Sequence, residues 1–332
     1  MREPIVGHRK HRFPQARRRL VQIDESIARY LSQLDSADRQ GEAVPEAKIT
    51  RLKEKIATLR QEIQRLNGLN TLMMQTEDKQ ISLTDPDARS MATSGRGSGM
   101  VGYNVQSAVD TKHHLIVAHE VTNVGSDRSQ LSPMSERARA AIGSETIEAV
   151  ADRGYYSGEE ILACEQAGIT VYLPKPMTSG INAKGRFGKQ DFVYVAEDDV
   201  YLCPAGEQLT YRYTNEEDGK ILRRYWTPAC QACALKGKCT TGKERRISRW
   251  EHEAVLEAVQ ARLDRNPDKM RERRQTVEHP FGTIKSWMGA THFQMKTLKN
   301  VSTEMALHVL AYNMKRVMQI LGVGALMEAI RA

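Results

Sequence analysis

Apolar residues early in the chain recur with a helical step. From Ile49 they continue at Leu52, Ile56, Leu59, Ile63 and Leu66, with Lys, Arg, Glu and Gln between them. Alternating steps of three and four are the seam of a heptad repeat. Ile23, Ile27, Tyr30 and Leu34 have the same step, and a polar segment from Ser36 to Glu46, with Gly41 and Pro45, separates the two stretches. The pattern predicts an antiparallel helical hairpin. Such a hairpin either packs on the body of its own chain, the more ordinary outcome, or acts as a coiled-coil arm that dimerises the protein or arranges DNA.

After Thr76 the step changes to two. Gln80 to Thr84 alternates and stops at Asp85-Pro86, and a glycine-rich link follows from Ser94 to Gly99. GYNVQSAVD (102–110) and HLIVAHEVT (114–122) read as two strands of a hairpin turning at Thr111 to His113. A helix over about 130–142, a strand at 148–154, a helix over about 157–167 and a strand at 169–173 come next. The order β, ββ, α, β, α, β predicts an α/β fold, a mixed sheet flanked by helices. From about 176 to 250, glycine, charge and cysteine break the rhythm, as in an insertion with too few apolar residues for its own core. Helices return from Glu251. The last, about 302–321, has Met305, Val309, Tyr312 and Val317 on or near one face and stops at Gly322. The expected segments are 1–76, 77–175, 176–250 and 251–332.

At 332 residues and 40% hydrophobic content the chain can bury a sizeable core. Lys and Arg outnumber Asp and Glu by 49 to 41, a formal charge of +8 that suits a polyanionic partner. No run approaches the ~18 apolar residues of a membrane span, and the basic, polar first residues do not resemble a secretory signal. The expectation is a cytoplasmic protein with no membrane association. Of five cysteines, four lie between 203 and 239, which fits metal binding in a reducing compartment better than a disulfide framework. Cys164, apart from the rest, reads as a small buried apolar residue.

Asp85 and Asp152 each stand where a predicted strand ends, so adjacent strands can bring them together despite their separation in sequence. Carboxylates so placed suit a pair of hard divalent cations, which activate an attacking oxygen and stabilise a leaving one at phosphorus. Asp87 is an alternative to Asp85, and Asp110 also ends a strand, although its hairpin turn gives it a local structural reason to be there. In RQTVEHPFGTIK (274–285), Arg274, Glu278 and Lys285 are spaced by four and seven and fall within ~60° on a helix. Val277, Phe281, Ile284 and Met288 form the neighbouring stripe, and Pro280 predicts a kink. Cys203, Cys230, Cys233 and Cys239 form a four-thiolate set whose close pair suits tetrahedral Zn²⁺, with an iron–sulfur cluster a distant second. Lys243, Arg245, Arg246 and Arg249 follow as candidate phosphate contacts.

The blocks TDPDARSM (84–91), GYNVQSAVD, HLIVAHEVTN, ADRGYYS (151–157) and RRQTVEHPFGTIK (273–285), in this order, closely resemble bacterial insertion-sequence transposases of the DDE class. The likeness extends from about residue 20 to the C-terminus and looks specific to the eleven-eighty-two branch, which bears a cysteine-containing insertion. It implies a ribonuclease-H-like core interrupted by that insertion, two bound Mg²⁺ or Mn²⁺ ions, nicking at element ends and transfer of a 3′-hydroxyl into target DNA. By motif, Asp152 corresponds to the second acid and Glu278 to the third, with Asp85 the preferred first, and Arg274 and Lys285 match basic positions expected to hold phosphates. The tyrosine expected three residues before Arg274 is replaced by Arg271. The N-terminal helical region that such proteins use to recognise DNA ends is not apparent, so the chain resembles the product of a truncated element. The resemblance implies DNA as partner and a homodimer in the active complex. Two other classes share these features: a DDE-fold nuclease that cuts without joining, and a non-catalytic DNA-binding relic or regulator.

Overall fold

The computed structural model describes residues 5–7, 13–39, 46–76, 80–82, 84–91, 100–176 and 185–331. They form two compact units, one of residues up to 107 with 119–126 and 280 onward, the other of 108–118 with 127–279.

In the first unit, strand β1 (Ile5–Gly7) leads to helices α1 (Phe13–Arg39) and α2 (Glu46–Met74), and β2 (Gln80–Ser82) pairs antiparallel with β1. The helices form the expected hairpin. Arg19 pairs with Glu62, and Lys55 stands 5.6 Å from the Tyr30 ring centre, so residue numbers rise on one helix as they fall on the other. Ile23 and Ile56, from the two apolar seams, are buried. The expected turn with Gly41 lies outside the described residues, as does the glycine-rich link between β3 (Arg89–Met91) and β4 (Met100–Gly102), which pair antiparallel.

Strands β5 (Asn104–Val109) and β6 (Ile116–Thr122) form the predicted hairpin, and residues 108–118 around its turn belong to the second unit. There α3 (Leu131–Ile142), β7 (Ile147–Val150), α4 (Gly158–Gln166) and β8 (Ile169–Tyr172) follow close to their predicted places. Strands β7 and β8 are parallel, Ile147 opposite Ile169. Leu131, Ile161, Cys164, Ile169, Val171, Leu173 and Val259 form one core, and Cys164 is fully buried there. The expectation of one mixed sheet is modified: backbone hydrogen bonds join β5 to β6 and β7 to β8 as separate two-stranded sheets.

The larger departure lies in the insertion. Strands β9 (Val193–Val195), β10 (Val200–Leu202), β11 (Gln208–Glu217), β12 (Lys220–Trp226) and β13 (Ile247–Trp250), with the short helix α5 (Lys236–Cys239) between the last two, form a five-stranded antiparallel sheet in the order β13-β12-β11-β10-β9. It has its own core of Phe192, Tyr201, Leu209, Tyr225 and Ile247, contrary to the expectation that it would lack one. Aromatic rings supply the apolar area that aliphatic residues elsewhere provide.

Helices α6 (Glu253–Arg265) and α7 (Lys269–Gly282) follow. Pro280 lies inside α7, and the chain continues as a π-helical turn over Thr283–Trp287 rather than breaking. In the first unit α8 (Leu298–Leu321) buries Val301, Met305, Val309 and Tyr312 and ends at Gly322, whose φ of 83° explains the glycine. Helix α9 (Val323–Arg331) completes the described chain.

Candidate active site

Asp152 stands where the chain leaves its pairing with β8. Ala151 N–H still donates to the Tyr172 carbonyl at 3.1 Å, so strand register persists to the residue before the acid. Asp152 Oδ1 accepts the Gly154 N–H at 2.8 Å and caps the 3-10 turn Arg153–Tyr155. A Cβ at position 154 would sit 2.9 Å from that oxygen, which is why a glycine follows the acid so closely. Asp152 Oδ2 accepts from Arg273 of α7, also at 2.8 Å. Arg273 is not one of the cations that sequence spacing singles out. It precedes Glu278 by five residues, ~140° around a helix, so spacing directs attention to its neighbour Arg274. Asp127 belongs to the same corner. Burial first, and then the charges of Asp127 and Asp152, push the Tyr155 phenol up.

Glu278 is exposed on α7. On the same unit, Asp110 ends β5 and organises the hairpin turn, accepting the Lys112 N–H at 3.3 Å and the His113 N–H at 2.6 Å. The tight turn holds His114 at a φ of 58° and sets its ring edge-on to that of His279, with centroids 5.1 Å apart. Two acid-bearing turns therefore abut α7 within the second unit: that of Asp152 through Arg273, and that of Asp110 through His114 and His279, the residue next to Glu278.

Asp85, the expected first acid, has a different occupation in the first unit. It is only 9% exposed. Its carboxylate accepts the Tyr103 hydroxyl at 2.7 Å, the Asp87 N–H at 3.2 Å and the Thr297 N–H at 3.2 and 3.3 Å. Asp87 Oδ2 accepts the Leu298 N–H at 2.8 Å. The two carboxylates thus satisfy N–H groups that the start of α8 leaves without helical partners, where negative charge is favoured. Thr297 holds a φ of 70°, a strained value for a β-branched residue that these bonds maintain. Burial first, then Asp85, push the Tyr103 phenol up.

The expected cations separate by burial. Arg274, Lys285, Lys243 and Arg246 are exposed; Arg246 also pairs with Glu244 at 2.9 Å and lies over the Trp226 ring. Arg249 is buried, forked onto Glu257 at 2.5 and 2.9 Å and stacked 3.6 Å from the Tyr194 ring centre, so its guanidinium serves the interior of the sheet rather than a phosphate. Arg245 is turned inward as well, 5.5 Å from the Phe192 ring centre. The four cysteines of the insertion line one cavity.

Carboxylate oxygen is the right donor for Mg²⁺ or Mn²⁺, and Asp110, Asp152 and Glu278 offer nothing else. Among the described residues, no group of three or more His, Cys, Asp or Glu side chains is already arranged to hold a metal ion. Binding one there requires side-chain movement, and for Asp152 it requires displacing Arg273 from Oδ2.

No helix among the described residues is long and apolar enough to cross a membrane. No curated protein and no solved structure matches the chain. Residues 202–318, from the end of β10 into α8, match the family described as Transposase DDE domain. This stretch includes Glu278 and all four clustered cysteines, and over it the chain is similar to the DDE class of transposases.

Proposed function

We propose that the chain cleaves DNA at the ends of an insertion sequence and transfers the resulting 3′-hydroxyl into target DNA, using Asp110, Asp152 and Glu278 on a ribonuclease-H-like core. The domain match over 202–318 supports the reaction class. One observation carries the choice of acids: within one compact unit, the turns bearing Asp110 and Asp152 both abut the helix bearing Glu278. Asp85, with its carboxylate filled by Tyr103 and the start of α8, is replaced by Asp110 in this reading.

Bound Mg²⁺ or Mn²⁺ would supply activation of the attacking oxygen and neutralisation of the leaving one. The chain's own groups do the rest. Asp110 and Asp152 each use one or two lone pairs on backbone donors, which fixes their orientation, and Asp152 Oδ2 becomes available when Arg273 leaves it. Glu278 presents an exposed carboxylate. Arg274 and Lys285, with exposed Lys243 and Arg246, are the cations assigned to phosphates, and the active complex on DNA is a homodimer.

The test is a Mn²⁺-supported cleavage and joining assay on DNA carrying the ends of the element that encodes the chain. Asp110→Asn, Asp152→Asn and Glu278→Gln should each reduce cleavage on the order of a hundredfold or more, with DNA affinity unchanged or raised because negative charge is removed. Asp85→Asn should cleave normally per folded molecule. The acid assignment is overturned if Asp110→Asn cleaves like wild type while folded Asp85→Asn does not. Cleavage without joined products would leave a nuclease, and DNA binding without cleavage a regulator.

A further inference from the structure

We propose that Cys203, Cys230, Cys233 and Cys239 hold a structural zinc ion as four thiolates, with the Arg245 Nε–H donating to one of the ligand sulfurs. This goes beyond the reaction proposed above and does not depend on it. The four residues come from separate pieces of the insertion. Cys203 follows β10 in a turn closed by Gly206 N–H to the Cys203 carbonyl at 2.9 Å, with Gly206 at a φ of 81°. Cys230 lies on the 3-10 turn Pro228–Gln231 after β12, Cys233 just beyond it, and Cys239 ends α5. The fold nevertheless brings all four to one cavity of about 20 Å³. None is in a disulfide, and each is partly buried.

The surroundings favour a single ion. As it stands the cavity has room for about one water-sized atom. Its floor is apolar, because Cys203 and Cys239 pack against the core of Phe192, Tyr201, Leu209, Tyr225 and Ile247. Arg245 also lines the cavity, and its Nε is buried without a hydrogen-bond partner. A buried donor left unsatisfied costs about 1–3 kcal/mol, and a thiolate would satisfy it. As they stand, the four cysteines are not arranged to hold a metal ion, so binding requires their side chains to move. Rotation about χ1 between staggered wells is the motion each cysteine has available. On binding, four thiols release four protons to solvent and four S–Zn bonds form at about 2.3 Å. No electron is transferred. The resulting centre carries two negative charges, one of which the Arg245 guanidinium offsets.

The full chain, purified under reducing conditions without chelator, should contain about one zinc per molecule and no iron by elemental analysis. Titration with a mercurial should release that zinc in step with modification of four thiols. Replacement by Co²⁺ should give the visible bands of a tetrahedral thiolate site. Cys203→Ser and Cys233→Ser should weaken those bands, and Cys164→Ser should retain them. Arg245→Leu should still bind zinc but lose it to a chelator about 10–100-fold faster, the loss usual when a hydrogen-bond partner of a metal ligand is removed. Zinc well below stoichiometry in wild type, zinc released without thiol modification, or a non-reduced mass showing paired disulfides would each overturn the site. An unchanged release rate in Arg245→Leu would remove the arginine's role. None of these readouts involves cleavage, so failure here and failure of the transposase reading are separate.

Discussion

Asp85 shows how one carboxylate can be read in two ways. Ending an alternating run beside a proline, it has the setting of a metal ligand, yet it accepts from Tyr103 and from the first amides of α8. Removing it by Asp85→Ala leaves a phenol and a helix terminus without their acceptor, and should cost about 2–4 kcal/mol of stability. Asp85→Asn keeps the shape and loses the charge at the helix start, costing about 1 kcal/mol. Denaturant midpoints for the two variants check this order; a wild-type midpoint for Asp85→Ala would show that the cap contributes nothing. The insertion's cations divide in the same way. Lys243, Arg245, Arg246 and Arg249 are close in sequence and alike in type, but Arg249 is engaged by Glu257 and Tyr194. Burial depends on distant chain segments, and no local spacing reports it.

Among elements, those held by local rules are legible in the sequence. The two N-terminal helices, the β5–β6 hairpin, and the α3, β7, α4, β8 succession follow from periodicity and turn residues a few positions apart. Pairing between strands far apart in sequence is not legible, since partners are chosen by tertiary contacts. The five-stranded sheet escapes the sequence reading although part of its signal is present: Asp218-Gly219, both at positive φ, joins β11 to β12 as such pairs do in tight hairpins. Its long strands interleave strand-forming residues with charged and polar ones, Arg212, Asn215, Glu216 and Glu217 in β11 and Arg223 and Arg224 in β12, which hides the alternation. For the candidate site, Asp152 and Glu278 are visible as strand end and helix edge, whereas Arg273 and the His114–His279 contact are tertiary. Helix α7 is also tied to β7: Lys269 Nζ donates to Glu148 at 2.9 Å, and Tyr172 donates to the same carboxylate at 3.1 Å. The Lys269 hydrogen bond, against a smaller opposing effect of burial, holds Glu148 below the usual glutamate range, and the same bond raises Lys269. A depressed carboxylate stabilises fully above its unfolded value of about 4.3 and loses that contribution as pH falls through the lower folded value. Below pH ~4.3 the start of α7 should therefore exchange its amides faster. Glu148→Gln should show this looseness already at neutral pH and respond less to acid. Equal pH dependence in both proteins would dissociate the helix from this anchor.

Over the whole molecule, a net charge of +8 gives any polyanion a general attraction. Salt screens that attraction, and each cation that reaches a phosphate adds a further salt dependence by releasing condensed counterions. Arg274→Ala and Lys285→Ala should each weaken DNA binding and reduce the salt slope by about one unit for every phosphate no longer neutralised. Arg249→Ala should destabilise the chain instead, leaving the slope of the folded fraction unchanged. Unaltered slopes in the first two variants would place α7 and the turn after it away from the duplex. A protein that gathers acids where it must also admit phosphodiesters faces a conflict, since bare carboxylates repel the strand they are to act on. In the reaction proposed above, the Arg273–Asp152 pair would ease it: an arriving duplex would meet an ion pair at that corner instead of a lone negative charge.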